Sequence, residues 1–193
     1  MNAHGFPWAF LEAGEEENVS YICHAITPLG GITLASDGTS LTGLWFDGQK
    51  YFGSTLTGPP TEKRLPVFEE AERWLRDYFS GKTPGALPPL DLHGTAFQLA
   101  VWEILQTIPY GETVTYGKIA DILAAQQGRQ HLSAQAVGNA VGHNPISILI
   151  PCHRVIGVNG SLTGYAGGME RKKALLELER QNREIRRSNT VAE

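Results

Sequence analysis

Two cysteines in 193 residues, Cys23 and Cys152, are too few and too far apart for a disulfide framework, so a reducing compartment is expected. No apolar run approaches the roughly 20 residues that a membrane-spanning helix needs. The first 18 residues lack a basic start and an apolar stretch, and they carry Glu15, Glu16 and Glu17. They read as a flexible segment, neither signal peptide nor anchor. Basic charge is also short: the formal net charge is −4, which taken alone argues mildly against a nucleic-acid partner. These shortages together describe a cytoplasmic protein without a membrane partner, and a monomer is expected.

What is present fits a globular chain, with 41% hydrophobic and 19% charged residues, long enough for one large domain or two small ones. Charge is unevenly spread. Residues 1–91 hold 6 Lys+Arg against 12 Asp+Glu, whereas residues 92–193 hold 10 against 8 and four of the six histidines. A polyanion would therefore meet the second half.

Residues 19–26 alternate in polarity, residues 28–31 turn, and residues 32–35 and 41–46 continue as strands. Residues 66–79 read as a helix with Phe68, Ala71, Leu75 and Phe79 on one face, stopped by Gly81. Residues 19–81 thus form a small α/β unit, and the Pro/Gly-rich residues 82–94 form a linker. Residues 95–183 change character. Thr95 caps a helix carrying Phe97, Ala100, Val101, Ile104, Leu105 and Ile108, ended by Pro109-Tyr110-Gly111. A second helix starts near Thr115. A third starts near Ser133, with Ala136, Val137, Ala140 and Val141 on one face. Three short helices with tight turns suggest a helix-turn-helix arrangement. The small residues Ala134, Ala136 and Gly138 let the third helix lie close either to another helix or to a ligand. The last helix, residues 170–183, places Glu179 on an apolar stripe, where a buried carboxylate needs a partner. Residues 184–193 read as a frayed tail.

The chemistry-bearing stretch is Pro151-Cys152-His153-Arg154-Val155, after the apolar run 148–150. Proline fixes its own φ, so a rigid strand end would aim the thiol. A thiol is a weak nucleophile until a base or cation turns it into thiolate, and both stand next to it here. An inert core cysteine would not need them. Zinc is a poor reading, because adjacent Cys152 and His153 lack the second ligand pair that structural sites use.

Pro151-Cys152-His153-Arg154-Val155, with Asn144-Pro145, Val137-Gly138, Pro109 to Tyr116 and Leu162 to Gly168, resembles the O6-alkylguanine-DNA alkyltransferases. That likeness covers most of residues 94–180 and only loosely the first 90. It implies an α/β, RNase-H-like N-terminal domain followed by a mainly α, winged-helix-like alkyltransferase domain. It implies a partner, double-stranded DNA bound through the minor groove, and a flipped alkylated guanine, with no metal or other cofactor. Cys152 would take the alkyl group in a single-turnover reaction. His153 would accept the thiol proton through a water, Glu179 would hold the imidazole, and Asn144 would tie the local backbone together. Tyr116 would donate towards the base, Tyr165, Ala166 and the Val155 backbone would line the pocket, and Pro151 and Arg154 would brace the loop. Ala134, Gln135, Ala136 and Gly138 would meet DNA.

Gln135 departs from the family pattern, which often places an arginine there to fill the gap in the stack. A glutamine lacks the charge and the planar cation. Two other classes remain open at this point: a lesion-recognising DNA-binding module without transfer, and a Cys/His hydrolase, which would need an oxyanion hole.

Overall fold

A four-stranded sheet, in the order β3-β2-β1-β4, organises the N-terminal half. The structure is a computed structural model describing residues 19–82 and 84–190. The expected flexible segment 1–18 lies outside those residues, as does the end of the expected tail, 191–193. Strands β1 (Tyr21–Thr27), β2 (Gly30–Ser36) and β3 (Leu41–Phe46) form an antiparallel meander. The two-residue strand β4 (Thr61–Glu62) runs parallel to the start of β1. The first hairpin turns tightly because Gly30 takes a φ of 110°, which a side chain would resist.

Helix α1 (Pro66–Phe79) packs on this sheet, opened by a proline at its first turn. Its buried face is Val67, Phe68, Ala71, Leu75 and Tyr78. Phe79, expected on that face, is only half-buried, because it is the last residue of the helix and packs at the edge of the core. The expected linker is not loose throughout. Leu41 N–H donates to the Pro89 carbonyl (2.8 Å) and Asp91 N–H to the Leu41 carbonyl (2.9 Å), which lays this segment along β3.

The second half packs α2 (Ala96–Gln106), α3 (Tyr116–Gln126) and α4 (Ala134–Gly142) together. Thr95 completes a capping box with Gln98, and Thr115 and Ser133 cap α3 and α4. Trp102, unremarked in the periodic reading, is buried and its indole N–H donates to the Ala140 carbonyl (2.9 Å), locking α2 against α4. Ala136 is exposed, so the inner face of α4 is Val137, Ala140 and Val141. Short strands β5 (Val114–Thr115) and β6 (Val155–Ile156) pair in parallel beside the helices.

Helix α5 (Met169–Thr190) runs seven residues beyond the expected end at Arg183, into the stretch read as a tail. Arg180 holds Glu177 and Glu184 on its exposed face, and such i,i+3 and i,i+4 pairs extend a helix made of good formers. Its buried stripe is Lys172, Leu175 and Glu179.

One continuous core joins the halves. Leu44 N–H donates to the Pro145 carbonyl and Ser147 N–H to the Leu44 carbonyl, both at 2.9 Å, so β3 carries the segment ahead of Cys152 as an added rung.

Candidate active site

The apolar run before Cys152 is not the expected strand end. Residues 146–151 form a buried chain of turns, because Pro145 withholds a donor and Ile148 takes a φ of 70°. A left-handed β-branched residue is strained, and it persists only where its surroundings leave no alternative. Here those surroundings are the β3 rung on one side and Asn144 on the other. The Asn144 amide nitrogen donates to the Ile150 carbonyl (2.8 Å), to the Ile146 carbonyl (3.2 Å) and to Cys152 Sγ (3.0 Å), while its oxygen accepts from Ile146 N–H (3.0 Å). Pro151 is buried, and Cys152–Arg154 make one tight 3-10 turn.

That turn carries three buried side chains, Cys152 towards Asn144 and both His153 and Arg154 towards Glu179. Burial pushes the Cys152 thiol above its ordinary pKa; the Asn144 hydrogen bond and the Lys172 charge pull the other way without prevailing. Burial likewise lowers the His153 pKa against the pull of Glu179. The resting pair is therefore a thiol beside a neutral imidazole.

Glu179 gathers donors from four residues. Its Oε1 accepts from Tyr78 O–H (2.7 Å), His153 Nε2 (2.8 Å) and Arg154 Nη2 (2.9 Å), and its Oε2 from Arg154 Nε and Gly111 N–H (both 2.9 Å). Burial alone would raise this carboxyl, but His153 and Arg154 outweigh it and hold it at about 2. An ionised carboxylate only accepts, so His153 Nε2 carries the hydrogen. The buried Nδ1 then keeps its lone pair, and it has no hydrogen-bond partner among the described residues. Arg154 Nη1 also donates to the Ile108 carbonyl (2.6 Å), tying the turn to the end of α2. Gly111 is required where it stands: at φ 73°, an added Cβ would sit 3.1 Å from the Glu179 carbonyl oxygen.

Cys152 borders a pocket of about 350 Å³ with Tyr116, Gly138, Asn139, His143, Tyr165 and Ala166 among its walls. A larger open groove of about 890 Å³ runs past Ser133, Ala134, Gln135, Ala136 and Val158. Tyr116, Gly138, Asn139 and Gly164 border both spaces, so the groove leads into the pocket. The structure thus pairs Cys152 with Asn144, joins His153 and Arg154 of the same turn to Glu179, and sets Tyr116, Tyr165 and Ala166 on one pocket. Val155 stands apart: it is fully buried outside the pocket lining, because its carbonyl accepts from Lys172 Nζ (2.6 Å). The Tyr116 hydroxyl donates to the Thr163 carbonyl (3.0 Å) in this state. Among the described residues no group of three or more His, Cys, Asp or Glu could hold a metal ion, and no helix is long and apolar enough to cross a membrane.

Comparison with known proteins gives this arrangement its relatives. Residues 22–92 match the family described as 6-O-methylguanine DNA methyltransferase, ribonuclease-like domain, and residues 96–181 match its DNA binding domain. A methylated-DNA–protein-cysteine methyltransferase of Mycobacterium tuberculosis is 49% identical over 154 residues, spanning 80% of this chain and 88% of its own. The chain belongs to the methylated-DNA–protein-cysteine methyltransferase family. Another methyltransferase of this family, from Haemophilus influenzae, is 40% identical over 163 residues, covering 83% of this chain and 86% of its own. The crystal structure of Mycobacterium tuberculosis OGT in complex with DNA has the same fold, with a TM-score of 0.74 at 45% identity over 84% of this chain and 94% of that one.

Four participants escaped the reading of the sequence. Tyr78 reaches Glu179 from the N-terminal half, and the helical period of α1 would have found it. Lys172 is fully buried and donates to Val155, Thr163 and Gly164 carbonyls (2.6, 3.1 and 3.2 Å), stapling the loop that walls the pocket. It lies seven residues before Glu179, two helical turns away on the same stripe. Tyr51 and Lys50, from the loop after β3, also line the pocket, and no local pattern announces them.

Proposed function

We propose that this methyltransferase repairs DNA by direct reversal, moving a methyl or other small alkyl group from O6 of guanine in duplex DNA onto Cys152. An O6 substituent lies inside the stacked duplex, so the base must be flipped out to meet the sulfur. The groove beside α4 would take the minor groove of DNA, since the exposed Ala134, Gln135 and Ala136 let the helix backbone come close.

The observation that carries the reading is the chain of contacts Asn144–Cys152 and His153–Glu179 at the inner end of a pocket that a groove feeds. Sγ attacks the alkyl carbon in line with its bond to O6. The S–C bond forms as the C–O6 bond breaks, and that electron pair leaves with guanine. The thiol proton passes through a water to His153 Nδ1, and Glu179 stabilises the imidazolium that results. Asn144 N–H supports the developing thiolate. The leaving guanine anion needs a proton or a donor, a role suited to Tyr116 once its hydroxyl exchanges the Thr163 carbonyl for the base. The product thioether offers no leaving group to its neighbours, so each molecule acts once.

Incubating the protein with a duplex labelled at the methyl of O6-methylguanine tests this. Label should move to protein up to one equivalent and stop, and Cys152→Ala should bind the duplex without taking label. Label released to solvent with repeated turnover would contradict the reading.

A further inference from the structure

The loop between β3 and β4 brings an aromatic side chain from the N-terminal half to the rim of the Cys152 pocket. Tyr51 sits there at a φ of 60°, half-exposed, with its ring stacked on His143 at 4.0 Å between centroids and 28° between planes. His143 caps the end of α4, and its Nδ1 lies 2.8 Å from the Asn139 carbonyl, so that nitrogen donates and the ring is fixed. Both side chains border the pocket that holds the sulfur.

The loop is anchored to the other half just ahead of Tyr51, and to β3 just after it. Gln49 Oε1 accepts from Ser147 O–H (3.1 Å) and from Phe46 N–H (2.9 Å), and Lys50 N–H donates to the Ala166 carbonyl (3.0 Å). Phe52 packs its ring 5.7 Å from Trp45. A left-handed tyrosine costs about as much as a stacked aromatic pair returns, so the arrangement is poorly explained as a stabilising one. Strain of this kind held by surrounding contacts is a mark of a working position.

Its work follows from which residues border which space. Tyr116, Gly138, Asn139 and Gly164 border both groove and pocket and so form the mouth through which a base enters. Tyr51 and His143 border the pocket alone, as Cys152 does. In-line displacement points the alkyl carbon at Sγ with its other substituents splayed across the S···C···O6 axis, so a longer substituent must extend sideways into the pocket that Tyr51 and His143 share with the sulfur. We propose that Tyr51, braced by His143, is a specificity-determining wall that limits the O6 substituent to small alkyl groups. The proposal rests on the alkyl-transfer reading above.

Single-turnover rates on two duplexes, one with O6-methylguanine and one with O6-benzylguanine, test it. Tyr51→Gly removes the ring while suiting the left-handed backbone, and Tyr51→Phe keeps the ring. His143→Ala withdraws the brace from the other side and serves if the glycine variant fails to fold. The benzyl-to-methyl rate ratio should rise about tenfold or more in Tyr51→Gly, and in the same direction in His143→Ala, the scale at which an apolar pocket discriminates by size. Tyr51→Phe should keep the parent ratio. A ratio within about twofold of the parent in the ring-deleted variants, including equal slowing of both substrates, overturns the assignment. Absence of methyl transfer by the unaltered protein would instead overturn the alkyl-transfer reading itself.

Discussion

Nε2 of His153 and Oε1 of Glu179 stand 2.8 Å apart with both side chains buried, and this one contact fixes which imidazole nitrogen remains free for the thiol proton. Because the carboxylate is held ionised, it accepts from Nε2 and leaves Nδ1 as the base.

Glu179→Gln should break this logic at both ends. The amide no longer dictates the imidazole tautomer, and Arg154 keeps a buried charge without its counter-ion. Methyl transfer should slow about 100-fold, the usual scale of general-base assistance. Stability should drop by about 3–5 kcal/mol, as for a broken buried pair. Single-turnover kinetics and urea unfolding measure the two; a variant as fast and as stable as the parent would contradict the assignment.

The pH dependence has a definite sign. His153 and Glu179 both have folded pKa values below their ordinary ones, so the folded state binds fewer protons than the unfolded chain. Their stabilisation is complete above about pH 6.5, begins to fade as pH falls past the unfolded histidine value, and drops further from about 4.5 to 2 as Glu179 is titrated. Glu179 alone contributes on the order of 1–3 kcal/mol to that loss. Transfer should likewise be level near neutrality and fall on the acid side as His153 is protonated. Unfolding midpoints and rates between pH 4 and pH 8 that rise towards acid would have the wrong sign.

Lys172→Met should loosen the pocket wall. Three carbonyls lose a charged donor, and the sulfur loses a nearby cation that favours thiolate. The expected cost is about 2–3 kcal/mol in chemical denaturation, on the scale of hydrogen bonds to a charged group. Cys152 should also react more slowly with a small thiol reagent. Unchanged values in both measurements would show that the buried ammonium plays neither part.

Gln135→Arg should strengthen binding to duplex DNA and raise the repair rate without changing reaction of the thiol with a small reagent. Gln135 is exposed on the first turn of α4 and borders the groove, so an added cation there meets phosphate or the stack and leaves Cys152 untouched. Titration of duplex binding and single-turnover repair check it; no change in either removes Gln135 from the interface.

The nucleophile and its neighbours were legible because they are contiguous: Pro151 to Val155 carry chemistry that filler does not need. Glu179 was legible as a carboxylate on an apolar stripe. Its full set of donors was not, since Tyr78 and Gly111 lie 101 and 68 residues away along the chain. The helices of the second half followed from period and caps, yet the run before Cys152 misled, because apolar content alone does not separate a strand from buried turns. Tyr51 reached the pocket through a loop whose anchors, Ser147 and Ala166, belong to the other half, and such tertiary placement leaves no local signature.

The most direct test of the account is intact-protein mass spectrometry after incubation with a duplex bearing a single O6-methylguanine, followed by peptide mapping. The account predicts one methyl in place of one proton per molecule, located on Cys152, with an equal amount of guanine restored in the duplex. Restored guanine with an unmodified Cys152, or a methyl carried on any other residue, would contradict it.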